Sequence, residues 1–157
     1  MHALYVETQP PAVGADIAVR LTRHLCVRQL NQHGIFSGPV AVVAQDPPKL
    51  LKQTQTQWLR LMRRAQRARR ETTDPRYLIA FADLITMLQC ARFTTVVAPE
   101  DEQQHNITFA TASDYSAQPP FCKTIYITYH IPTEQLHQIT AWMPRQAMVV
   151  IFADSLS

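Results

Sequence analysis

Glycine is nearly missing from this chain. Gly14, Gly34 and Gly38 are the only three in 157 residues, against a usual level of about 7%. Loops that wrap a phosphate in converging backbone N–H groups depend on glycine. The segment after the apolar run at 39–44 is Gln45-Asp46-Pro47-Pro48. It has no glycine and two residues without an N–H, so the familiar nucleotide-binding fingerprints are excluded. No Gly-x-Ser-x-Gly elbow occurs, and no cofactor is expected.

Cysteine is also scarce. Cys26, Cys90 and Cys122 are odd in number and widely spaced, which is no disulfide framework and suits a reducing compartment. Cys/His pairs at zinc-site spacing are lacking. No apolar run approaches the ~20 residues that a membrane-spanning helix needs, and the mean hydropathy is −0.14. Integral membrane association is therefore not expected. The start, Met1-His2-Ala3-Leu4-Tyr5-Val6-Glu7, has neither a basic n-region nor a long apolar h-region, which points to a cytoplasmic protein.

A last absence is local. Residues 48–70 contain no acidic residue but hold Lys49, Lys52, Arg60, Arg63, Arg64, Arg67, Arg69 and Arg70, which are 8 of the chain's 15 basic residues. The other 7 basic residues face all 12 acidic ones, so a formal charge of +3 is a strongly basic segment on an acidic remainder. Such asymmetry says more about partners than net charge does.

The spacing predicts that 48–70 is one helix. At ~100° per residue from Trp58, Leu51, Met62 and Ala65 fall within about 40°, and Leu61 about 60° away. Lys49, Arg60, Arg63, Arg64, Arg67 and Arg70 fall between about 120° and 240°, on the far side. Arg69 alone lands on the apolar side, where fraying is expected. The Trp58 and Trp142 side chains are assigned to packing.

Around this helix the chain reads as α/β over one domain, 1–157. Strands are expected at 3–7, 39–44, 93–97, 106–111, 123–129 and 148–152. Helices are expected from Asp16 to about 33 with Gly34 beyond the end, at 48–70, from the Asp74-Pro75 start to 90, and from a Thr133 cap to 143. Strands at both ends with helices between them predict a three-layer sandwich. Its sheet would be mixed but mostly parallel, of five to six strands.

Other chemistry is weaker. Glu134-x-x-His137 puts two metal-binding side chains on one helix face, but a bundle metal site needs a second such motif. Glu100, Asp101, Glu102 and His105 lack calcium-loop spacing. Cys122 with His105 or His130, or Ser113-Asp114 at a strand end, would make an enzyme only if the fold assembled them. Cys26 and Cys90 are assigned to the core. The sequence thus favours a non-catalytic accessory protein. Its basic helix would bind a nucleic-acid backbone through Lys49, Lys52, Arg60, Arg63, Arg64, Arg67 and Arg70. The alternatives are an acidic protein surface met by the same helix within a larger assembly, and a small enzyme with its site at the strand C-termini.

Overall fold

The computed structural model describes residues 3–7, 17–30, 39–95, 106–144 and 147–152. Asp16, Gly34 and the acidic stretch at 100–105 lie outside the described residues. In chain order the elements are β1 (Ala3–Glu7), α1 (Ile17–Leu30), β2 (Val40–Val43), α2 (Pro47–Glu71), α3 (Pro75–Cys90) and β3 (Arg92–Thr94). They continue with β4 (Asn106–Ala110), α4 (Ala112–Ala117), β5 (Thr124–Ile127), α5 (Thr133–Thr140) and β6 (Met148–Phe152).

The six strands form one sheet in the order β1-β6-β5-β2-β4-β3. Every pairing is parallel. The expected α/β sandwich with a mostly parallel sheet is what forms, and the antiparallel pair allowed for in a mixed sheet does not occur among the described strands. β2 is central, and all four of its residues are buried. That is why its sequence is a continuous apolar run rather than an alternating one.

The pleat sorts the core into two layers. Val40 and Val42 join Leu21 and Leu25 of α1, Trp58 of α2 and Leu88 of α3. Ala41 and Val43 join Tyr115 of α4 and Ile139 of α5 on the other face. The layers follow the direction of travel. From β1 to β2 and from β2 to β3 the chain moves one way along the sheet, with α1, α2 and α3 on one face. From β4 to β5 and from β5 to β6 it moves back, with α4 and α5 on the opposite face. Crossovers of a single hand require this segregation.

α4 is an element that the sequence reading lacked. Thr111 caps it, accepting the Asp114 N–H at 3.1 Å, and the Tyr129 hydroxyl accepts the Ala112 N–H at 3.0 Å. Both satisfy donors that a helix start leaves unpaired. Two cysteine and tryptophan assignments also change. Cys90, the last residue of α3, is exposed. Trp142 is 73% exposed, because α5 stops at Thr140 and leaves it in the following turn. Thr133 is the first residue of α5 rather than its cap, which is Pro132.

Candidate anionic-partner interface

α2 starts where the sequence says it should. The Asp46 carboxylate accepts the Lys49 N–H at 3.3 Å, and Pro47 takes the first helical position, where a missing N–H costs nothing. The helix then runs for 25 residues, about 37 Å. β2 has four residues, about 13 Å. Lying antiparallel to the strands, α2 must run well past the N-terminal edge of the sheet.

The burial pattern marks where it leaves. Leu50, Thr54, Trp58 and Ala65 are its buried residues, so only Ala65 is buried beyond Trp58. Trp58 stands at the sheet edge, edge-on to Phe93 of β3 at 5.3 Å between ring centroids. Its indole N–H donates to the Leu88 carbonyl at 2.8 Å. Leu88 belongs to the last turn of α3, whose carbonyls have no partner within the helix. Trp58 is therefore a side-chain cap on the far end of α3, and it fastens the two helices where they meet the sheet.

Beyond that point α2 and α3 form a two-helix arm. The turn is short: Thr72 closes α2 by donating its N–H to the Ala68 carbonyl, and Asp74 caps α3 by accepting the Arg76 N–H at 2.9 Å. Leu61 and Met62, one turn past Trp58, still pack against the core cluster, so the projecting part of α2 begins near Arg63 and extends about 13 Å to Glu71. α3 is apolar in sequence, yet among its described side chains only Ile85 and Leu88 are buried, and of the two Leu88 belongs to the core cluster against the sheet. Farther out, Tyr77 and Ile79 are 56% and 65% exposed.

The basic residues follow this geometry. Arg63, Arg64 and Arg67 are exposed on the arm, as is Arg70 near its tip, Arg60 is exposed at the arm's base, and Lys49 and Lys52 are exposed on the stretch of α2 that covers the sheet. All seven named for binding thus lie on one helix. Arg69 departs from expectation: α2 is helical through Glu71, so Arg69 does not fray. It lines a groove with Arg70 and Leu78 between the two helices of the arm.

Neutralisation by neighbouring acids is limited. Asp74 pairs with Arg76 at 2.9 Å, and that guanidinium holds the Asp74 carboxyl below its ordinary range. Among the described residues no ion pair reaches Arg60, Arg63, Arg64 or Arg67. A buried arginine lies elsewhere. Arg20 of α1 sits over the Phe152 ring with its guanidinium carbon 4.6 Å from the centroid, a core contact that the sequence reading missed.

Of the residues considered for catalysis, Cys122 and His130 are held apart by β5. Cys122 precedes β5 and His130 follows it, so a strand length of about 13 Å separates them. Burial pushes the Cys122 thiol up to about 12, which keeps it protonated and unsuited to nucleophilic attack. Ser113 and Asp114 lie exposed in the first turn of α4. Asp114 borders a hollow of about 490 Å³ with Thr108 and Tyr115, where the Tyr115 hydroxyl is already spent on the Thr108 carbonyl. His105 lies outside the described residues. Glu134 and His137 are exposed on α5, and among the described residues no group of three metal-binding side chains assembles. No described helix is long and apolar enough to cross a membrane.

Compared with protein-family models, with curated proteins and with solved structures, the chain has no match.

Proposed function

We propose that this chain is a non-catalytic, cytoplasmic accessory protein that docks its two-helix arm onto a nucleic-acid backbone. The supporting observation is a row of exposed arginines in no ion pair among the described residues, most of them on the part of α2 beyond the core cluster. Arg60 and Arg67 are separated by about 10 Å along α2, with Arg63 and Arg64 between them. Phosphates follow one another every ~3.4 Å of axis along one strand of a duplex, so the row can engage several at once. Arginine forks suit phosphate oxygens. Nothing on this face offers a base-reading constellation, so binding would position the protein without much sequence preference.

The test is binding to unrelated duplexes and to single strands across salt concentration. Affinity that is absent at low salt, or that survives replacement of Arg60, Arg63, Arg64 and Arg67 by glutamine, removes the reading. An acidic partner protein that co-purifies, and whose binding is lost with the same replacements, would put the runner-up in its place.

A further inference from the structure

The arm has a second surface, which shares only Arg70 with the backbone-binding face. Between α2 and α3 runs an open groove of about 770 Å³. Its floor is the α3 stripe Leu78, Ala82 and Ile85, at i, i+4 and i+7, and its distal wall is Gln66, Arg69 and Arg70 of α2. No carboxylate is among its described lining residues. Arg69 and Arg70 are exposed and in no ion pair among the described residues. Beyond Ile85 the α3 lining turns polar, with Thr86 and Gln89, and from Leu78 to Gln89 it spans about 16 Å, or three helical turns.

We infer that this groove is a docking site for an acidic amphipathic helix of a partner protein. The argument is complementarity of two kinds at one place. A floor with helical spacing accepts apolar side chains at i, i+3 or i+4, and i+7, the pattern of helix-in-groove recognition. The cationic wall at one end fixes the direction of the guest, because its carboxylates must lie beside Arg69 and Arg70. A guest of about three turns fills the stripe. A basic or uncharged helix would satisfy the floor but leave the wall unpaired. A second copy of this chain would bring its own arginines to the same wall, and α3 itself carries a single acidic residue, Asp83, to meet them. The site shares Arg70 with the outer end of the proposed backbone-binding face, whereas Arg60, Arg63, Arg64 and Arg67 do not line the groove.

The experiment uses the whole protein and a fluorescent synthetic helix of about four turns, with leucines at the stated spacing and glutamates at one end. A control peptide carries lysine in place of each glutamate. Anisotropy at physiological salt should give micromolar binding of the acidic peptide and at least tenfold weaker binding of the lysine peptide. Arg69→Gln with Arg70→Gln should weaken the acidic peptide about tenfold, and Leu78→Asp should abolish binding. The two arginines are exposed, so their replacement tests the wall even if Leu78→Asp disturbs the arm. Replacing Arg60, Arg63, Arg64 and Arg67 by glutamine should leave peptide affinity within about threefold, which separates this site from the backbone-binding one. Equal binding of the two peptides overturns the inference. So does peptide binding that is indifferent to Arg69 and Arg70, or self-association in sedimentation that Leu78→Asp removes.

Discussion

Salt is the perturbation that tests the arginine row most directly. Each phosphate contact that displaces a counterion contributes about −0.9 to the slope of log affinity against log salt on duplex DNA. If Arg60, Arg63, Arg64 and Arg67 engage, the slope is about −3.6, and affinity falls roughly 150-fold between 50 and 200 mM. If the ligand also follows α2 over the sheet to Lys49 and Lys52, and outward to Arg70, seven contacts give a slope near −6. The slope therefore counts contacts and tells the arm from the whole helix. The assay is fluorescence anisotropy with two unrelated labelled duplexes, whose affinities should agree within about threefold if only the backbone is read. Each arginine changed singly to glutamine should reduce the magnitude of the slope by about 0.9. A slope that the fourfold glutamine variant leaves unchanged refutes the placement of the contacts on this face.

Trp58 gives a stability prediction. Trp58→Phe keeps the aromatic contact with Phe93 but leaves the Leu88 carbonyl without its donor, a loss of about 1–3 kcal/mol. Trp58→Ala adds a cavity and should cost about 3–5 kcal/mol, both measured by urea denaturation. Amide exchange should quicken first at the C-terminal turn of α3, and a neutral Trp58→Phe would dismiss the capping role. The cysteines give a second prediction. Cys90 is exposed, whereas burial pushes the Cys26 and Cys122 thiols up to about 12 from 9.0. In the native protein iodoacetamide should modify Cys90 and spare the other two until the chain unfolds. Because their folded values are raised, the stability they confer is complete below pH ~9 and is lost as pH rises towards 12, with a slope of about 1.4 kcal/mol per pH unit for each thiol. Cys122→Ala should flatten that alkaline loss, and an unchanged pH profile would contradict the burial of its thiol.

Much of the fold is legible in the sequence where the deciding chemistry is local. Asp46-Pro47 and Asp74-Pro75 mark two helix starts because a carboxylate cap and a proline at the first position are short-range effects. Val40–Val43 declares a doubly covered strand by its composition alone. α4 carries a local signal in Thr111 and Asp114, which stand three apart as a cap and an acidic third position do, but six residues are too few for a hydrophobic period to emerge. Trp142 and Cys90 defeat the rule that apolar residues in a periodic segment belong to the core. Their positions depend on where α5 stops and on which way the last turn of α3 faces, and tertiary contacts decide both. The arm was half legible. The length and cationic face of α2 can be read from residues 48–70, but its departure from the sheet cannot, since that needs the strand lengths and their parallel order. The apolar spacing of α3 likewise predicts a covered helix, and the structure leaves Tyr77 and Ile79 at its outer end exposed.

The electrostatics of the arm by itself bear on why its charge is informative. Arg60 with Arg63 and Arg64, and Arg67 with Arg63 and Arg64, stand at i, i+3 or i, i+4 spacing, where like charges destabilise a helix by about 0.2–0.5 kcal/mol per pair. Those four pairs together work against α2 by about 1–2 kcal/mol. Placement at the C-terminal end of a helix returns part of that for Arg69 and Arg70, which lie in the last turn, but the dipole effect fades within one turn and barely reaches Arg60 or Arg63. Glutamine at the four positions has almost the same helix propensity without the repulsion. The fourfold glutamine variant is thus expected to melt no lower than the parent, and higher at low salt. Loss of anion binding in that variant then cannot be put down to a damaged fold. If it melts lower instead, the arginines are holding the arm together, and their exposure says nothing about a partner.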